Sequence, residues 1–375
     1  MFFKDIIGQE NIKQRLINGV KEGRVAHAQL FVGAAGYGCL PMALAYAQYL
    51  CCENRSDTDS CGECSACRQI AKLAFADLHF VFPIVKKDSK ETFCEEYLKD
   101  FREAFSENPY MTLEDWQNRI ADTKNTEIYT SEGDELIRKL NFKTFQSEYK
   151  VAIVWCAEKM NDSFANKVLK LFEEPQGKTL FILITEDEEQ LLQTIRSRMQ
   201  PIIFPPIDNE NLRNALLNSN LEYDHDNIDY FIKNARGNWV NLLSNIEINE
   251  VQEQYFDLFT NLMRTSWTLK VDAIQGLLKD FSDLGRPSQI AFLQFAQKEI
   301  RENFIYNLKI SDLSYMNQDE EEFAQNFSRF INENNVAHLA AEFALAEAQI
   351  KQNGNAKIIF PDVILRLNRF ILKSQ

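Results

Sequence analysis

The chain has 375 residues, 45% of them hydrophobic and 26% charged. That is enough apolar material for two or three cored domains, and it excludes a globally disordered chain. The net charge of −14 argues against a protein that grips DNA unaided over a broad basic face, and no run of about 18 apolar residues offers a membrane span.

The N-terminus, MFFKDIIGQENIKQRL, is amphipathic and charged. It lacks the apolar h-region of a signal peptide, so the expected compartment is the cytoplasm, with no membrane partner. Five short apolar runs read as buried strands: QLFVG (29–33), LHFVFP (78–83), VAIVWCA (151–157), TLFILIT (179–185) and PIIFP (201–205). Helical patterns lie between them, over 41–50, 134–146 and 163–174. Pro41 suits a first helical turn, and Pro175 ends the third helix. Strands alternating with helices predict an α/β core, a five-stranded parallel sheet with helices on both faces, over residues 1–207. Residues 86–130 are rich in acidic and aromatic side chains and read as a solvated surface insertion of one or two helices. Beyond PIIFP the strand signal fades. A small helical unit is expected over 208–248 and an all-helical domain over 249–375, with a turn at Asn353 and Gly354.

The stretch FVGAAGYGCL places Gly33, Gly36 and Gly38 like a phosphate-binding loop, with Gly33 and Gly38 at the P-loop spacing. Such a loop needs Lys, then Ser or Thr, after the last glycine, to neutralise phosphates and hold Mg²⁺. Cys39 and Leu40 stand there and can do neither. The end of the strand VAIVWCAEKM should carry an acidic pair for the same metal. It carries Trp155 and Cys156, with Glu158 the nearest acid. Loss of both elements points to an ATPase fold without ATPase chemistry, whose phosphate loop is empty.

The run CENRSDTDSCGECSAC spaces Cys52, Cys61, Cys64 and Cys67 as a closed four-thiolate set, the arrangement of structural Zn²⁺. Clustered cysteines in a reducing compartment favour metal over disulfides. Cys51 could replace Cys52; spacing alone does not decide. Just before the last strand, Arg196, Ser197 and Arg198 sit at an edge of the core. An arginine there could reach a neighbouring subunit or simply pair at the surface.

Several motifs occur in a fixed order: IIGQE (6–10), R-x-x-HAQLFVG (24–33), the glycine loop, the cysteine knuckle, NKVLKLFEEP (166–175) and SRM (197–199). Together they resemble the delta-prime subunits of bacterial DNA polymerase III clamp loaders, members of the AAA+ family. The resemblance covers residues 1–207 outside the insertion. It implies a rigid, non-hydrolysing subunit that helps load the sliding clamp onto primed DNA. Its partners would be ATPase subunits of the gamma/tau type, the delta subunit and the clamp, with primer-template DNA met mainly through the complex. Ser197, Arg198 and Met199 match the family's Ser-Arg-Cys segment. That makes Arg198 the expected trans-acting arginine finger, with Arg196 as backup. The lid segment Gly237, Asn238, Trp239, Val240 has Val240 where ATP-firing relatives carry an arginine, and 249–375 would be the collar. Two readings compete: a divergent nucleotide hydrolase using Glu158, and a zinc-knuckle DNA-binding protein.

Overall fold

The computed structural model describes residues 1–86, 92–120, 126–219, 221, 223, 227–309, 313 and 315–372. Parts of the expected insertion (87–91 and 121–125) and of the expected small helical unit (220, 222 and 224–226) lie outside the described residues. The chain divides into two compact units. One is Met1–Leu221 with Ala235–Leu242, the other Glu222–Asn234 with Leu243–Gln375.

The first unit is built on the five apolar runs. They form β1 (Ala28–Val32), β2 (Leu78–Val81), β3 (Lys150–Val154), β4 (Thr179–Thr185) and β5 (Gln200–Ile203). All neighbouring pairs are parallel, in the order β2-β3-β4-β1-β5. Every residue of β3 and β4 is buried, which is why these runs show no polar alternation.

Helices cover the sheet: α1 (Glu10–Lys21), α2 (Cys39–Cys51), α3 (Ser65–Ala71), α4 (Leu98–Glu107), α5 (Leu113–Ile120), α6 (Thr130–Asn141), α7 (Asp162–Glu173), the one-turn α8 (Gln193–Arg196) and α9 (Asn209–Leu217). Every residue of α2 is buried, so its sequence is apolar on nearly every side, with Gln48 the buried polar exception. The Asn161 side chain caps α7 by accepting from the Phe164 N–H at 2.7 Å.

The insertion departs from the solvated reading. Its α4 and α5 carry Phe101 and Trp116, both fully buried. Phe101 stacks on Phe82 with ring centroids 4.3 Å apart and meets Trp116 and Trp155 edge-on at 5.5 and 5.8 Å. The Trp116 indole N–H donates to the Pro83 carbonyl at 2.7 Å. The apolar residues of an amphipathic helix thus dock onto the ends of β2 and β3.

The expected helix over 134–146 is shifted: α6 starts at Thr130 and stops at Asn141. Past it, the Lys150 ammonium donates to the carbonyls of Leu140 and Phe142. The Asp77 carboxylate accepts the N–H groups of Phe145, Gln146 and Ser147 at 2.7, 2.8 and 3.0 Å. Two buried charges outcompete the helix for these backbone groups.

Downstream come α10 (Ile228–Ala235), α11 (Trp239–Thr268), α12 (Val271–Asp283), α13 (Arg286–Asn307), α14 (Gln318–Phe327), α15 (Val336–Lys351) and α16 (Ala356–Leu372). Asn353, at φ 68°, reverses the chain between the last two. No described helix is long and apolar enough to cross a membrane. The core of the second unit gathers Phe259, Phe292, Leu339, Phe343 and the stacked pair Phe281 and Phe360.

Within that unit Glu299 on α13 is fully buried, with the Lys298 ammonium 3.7 Å from its Oε1 and the Glu320 carboxylate beside it. Burial, then the Glu320 carboxylate, pushes its pKa well up, against the pull of Lys298. The folded chain therefore favours the protonated form, while the unfolded chain ionises above about 4.3. Stability falls as pH rises past that value. In E299Q the thermal midpoint at pH 8 should exceed that of the parent, and the gap should close toward pH 4. A gap independent of pH would show that Glu299 is ionised in the folded state.

Candidate functional site

The glycine loop leaves the buried end of β1 and enters α2. The Gly33 N–H donates to the Thr185 carbonyl of β4 at 3.0 Å, which ties the loop's first residue to the sheet. Gly38 has φ 90° and precedes α2. No side chain caps that helix end. Its N–H groups and dipole are the part of a phosphate site that this sequence keeps.

Protein packs closely against two of the glycines, Gly36 and Gly38. A Cβ on Gly36 would lie 1.8 Å from Asn238 Oδ1 and 2.9 Å from the Val240 backbone nitrogen. The segment at 238–240 therefore rests directly on the loop. A Cβ on Gly38 would meet the Tyr110 ring at 3.2 Å. Tyr110 comes from the insertion, and its hydroxyl accepts the Ile7 N–H at 2.9 Å. Gln9 is buried and donates to the carbonyls of Tyr37 and Pro205 at 3.2 and 2.7 Å. Cys39 is buried, and its thiol points back to the Gly33 carbonyl. Burial pushes that thiol's pKa up, so it stays neutral.

The sheet's other chemical position is equally closed. Trp155 and Cys156 are buried, and Cys156 holds a left-handed φ of 53°. Glu158 lies under the surface with Oε2 unpartnered. Burial raises its pKa, a hydrogen bond from Thr185 pulls the other way, and Glu186 adds to the rise.

The four cysteine sulfurs of the knuckle come together, all within 4.8 Å of one another. The Cys61–Cys67 and Cys52–Cys64 sulfur pairs are both 4.0 Å apart. A tetrahedral ion with metal–sulfur bonds of about 2.3 Å needs edges of about 3.8 Å, so the set fits with little movement. The backbone supports anionic sulfur: the N–H groups of Cys61, Cys64 and Cys67 donate to the sulfurs of Cys52, Cys61 and Cys64 at 3.3, 3.4 and 3.4 Å. The Cys64 N–H, then the Glu63 N–H, pull the Cys61 thiol's pKa down. Burial pushes Cys52 and Cys67 up, a cost that a bound cation removes. Cys51 is buried, and its thiol is hydrogen-bonded with Ser147 instead. The cysteine that joins the four-sulfur set is thus Cys52, not Cys51.

Arg196 and Arg198 lie in and just after α8. Arg196 pairs with Glu188 at 3.5 Å. Arg198 is exposed and donates to Glu173, the last residue of α7, from Nε at 2.7 Å and Nη2 at 2.5 Å. It also donates from Nη1 to the Thr194 carbonyl at 2.9 Å. Met199 faces inward and is buried. The sequence reading missed three participants: Tyr110, Asn238 and Glu173. Asn238 alone had a local signal. Its Oδ1 accepts the Asn241 N–H at 3.1 Å, and a Gly-Asn pair before a helix is an N-cap signature.

The family model described as "DNA polymerase III, delta subunit" matches residues 8–208, more than half of the chain. The chain belongs to this clamp-loader family. It is 26% identical over 214 residues to DNA polymerase III subunit tau of Salmonella typhimurium, covering 57% of this chain and 27% of that protein. It is 27% identical over 213 residues to DNA polymerase III subunit delta' of Bacillus subtilis, covering 56% of this chain and 51% of that one. The chain thus spans between about a quarter and about half of these relatives' lengths. Among solved structures, a gamma subunit-related protein of Thermotoga maritima aligns with TM-score 0.34 and 11% identity over 97% of this chain and 100% of that one. The RuvB Holliday junction branch migration motor of the same organism aligns with TM-score 0.38 and 12% identity, over 82% and 79%. The architecture read from the sequence, an α/β core on a five-stranded parallel sheet followed by helices, is the one present in this clamp-loader chain.

The knuckle geometry gives a direct check. Purified Cys52→Ser protein should lose its tightly held divalent metal, read by elemental mass spectrometry, while Cys51→Ser should retain about one ion per chain, as a closed four-thiolate site requires. Equal loss in both variants would place Cys51 in the ligand set.

Proposed function

We propose that this chain is the non-hydrolysing, delta-prime-type subunit of a clamp loader, a rigid member that completes a neighbour's ATP site and does not fire its own. The observation that carries the reading is the sealed glycine loop: Asn238 against Gly36, Tyr110 against Gly38, and Cys39 buried in the lysine position. A triphosphate seated on Gly36 and Gly38 would have to share that space with both side chains. The knuckle is proposed to hold structural Zn²⁺, since the donor set is all sulfur and leaves no open position for chemistry.

Arg198 is the group offered to the neighbour. Its guanidinium stands exposed at an edge of the core, already oriented by Glu173 and the Thr194 carbonyl. On assembly with an ATPase subunit of the gamma/tau type it would turn its donors to the transferring phosphoryl group and stabilise the charge that develops there. Arg196, the last residue of α8, is the alternative donor. Delta-subunit and sliding-clamp contacts belong to the same proposal. The net charge of −14 fits DNA contact made mainly through the assembled complex.

Two experiments test this. Calorimetric titration of the isolated chain with Mg·ATP should give no saturable heat. The C39K/L40T variant, which restores the missing phosphate and metal groups, should stay silent until Y110A and N238A are added. Saturable binding by the parent chain would return the hydrolase reading. Binding by C39K/L40T alone would show that the lost side chains, not the seal, exclude nucleotide. In a complex reconstituted with ATPase subunits, R198A should lower DNA-stimulated ATP turnover by about 10³-fold or more at the site it completes. Unchanged turnover would remove Arg198 from that role.

A further inference from the structure

β2 is an edge strand, paired only with β3. The Val151 and Trp155 N–H groups donate to the Asp77 and Val81 carbonyls, which fixes the parallel ladder's phase. In that phase His79 and Val81 turn their backbone groups to β3, while Leu78 and Phe80 turn theirs outward. The Leu78 N–H is taken by the Phe75 carbonyl. Among the described residues the N–H and C=O of Phe80 and the C=O of Leu78 have no backbone partner and form a free strand edge.

This edge forms one wall of a cavity of about 640 Å³. Leu73, Phe75, Phe93 and Leu98 supply apolar surface. Phe142 and Phe145 stand at the cavity with 62% and 78% of their surface exposed, far from what burial would dictate for phenylalanine. They are not on a slack loop. Lys150 and Asp77 pin this segment through five backbone groups.

The charges around the cavity are unequally committed. Its four acids are all engaged: Glu95 with Lys139, Glu135 with Arg138 and Lys139, Glu132 with the Cys94 N–H, and Asp77 with three N–H groups. Two of its cations are not. Arg102 spends only Nε, on the Leu73 carbonyl, and its outer nitrogens have no partner among the described residues. Lys143 is exposed and unpaired among them. His79 lines the same wall, and burial, with help from Lys139, pushes its imidazole down to about 4. At neutral pH it offers one unused donor and one unused acceptor.

We propose that this cavity docks an extended acidic segment of a partner protein, which adds as a strand to the open edge of β2. Its backbone would pair with Leu78 and Phe80. Alternate side chains would enter the apolar floor, and carboxylates between them would meet Arg102 and Lys143. This is recognition by strand addition, with pairing from the main chain and selectivity from alternate side chains. Charge complementarity chooses the occupant: the uncommitted side-chain charges named here are both positive.

The probe is a blocked, dye-labelled nonapeptide alternating valine and aspartate, read by fluorescence anisotropy against the full chain. It should bind, its lysine-for-aspartate counterpart should not, and R102E/K143E should weaken it at least tenfold. K143E alone, a surface change, should weaken it by a smaller factor. Methylating the peptide amides at one set of alternate positions should abolish binding, and at the other set leave it intact. Equal binding of acidic and basic peptides, no binding of the acidic one, indifference to K143E and R102E, or equal effects of the two methylation patterns would each overturn the proposal.

Discussion

A buried parallel sheet leaves its carboxyl-terminal edge as the place where backbone groups end and something must cover them. In open α/β folds that cover is usually a ligand at the loops. Here it is the protein. The end of β1 is closed by Asn238 and Tyr110, and the ends of β2 and β3 by the aromatic cluster of Phe82, Phe101, Trp116 and Trp155. The buried aromatic rings each remove a large apolar area from water, and paired rings add about 0.5–1.5 kcal/mol beyond that area. A site filled this way gains stability from having no ligand. The insertion, whose helices bring both Trp116 and the segment with Tyr110, is the element that makes the substitution possible.

The knuckle serves a related end. Its loop is too short to bury a core, so cross-linking through a metal would supply the missing folding energy. What that loop then holds is the N-terminus. The Asp59 carboxylate accepts the N–H groups of Phe3 and Lys4 at 3.2 and 3.1 Å, and Ser60 accepts from Gln48 at 2.7 Å. Phe3 packs on Tyr49 of α2 with ring centroids 5.6 Å apart. The N-terminal segment also carries Ile7 and Gln9, the two residues that fasten the glycine loop's cover. The knuckle and the sealed loop are thus mechanically continuous, although neither touches the other's chemistry.

How much of this could be read from residues alone depended on range. The strands were legible because full burial leaves runs with no polar interruption, and α7 because Asn161 and Pro175 mark its ends. The cysteine set was legible because its ligands sit within one short stretch. The end of α6 was not, since the carbonyls that stop it are claimed by Lys150 and the following amides by Asp77, far off in the chain. Nor was the seal: Tyr110 reaches Ile7 across 103 positions, and nothing local marks a tyrosine as a plug. The insertion did carry a signal that was underread. Phe101, Ala104 and Phe105 repeat at helical spacing, the pattern of a helix with something to bury.

In the role proposed for it, Arg198 is a group held ready without being locked. It sits against the last turn of α7, where the helix dipole favours a cation, and its partner Glu173 sits where the dipole disfavours an anion. The arginine therefore relieves a local conflict as well as making an ion pair. Both side chains remain more than a third exposed, at 36% and 47%, so water screens the pair and its net worth is about 0–1 kcal/mol. In the proposed assembly, a phosphoryl group carried in by a neighbour would offer the same guanidinium a more highly charged partner in a water-poor interface, where each charge-assisted hydrogen bond is worth more. The exchange is downhill on those terms. Glu173 limits the rotamers that Arg198 would otherwise sample, and it does so with a bond weak enough to give up.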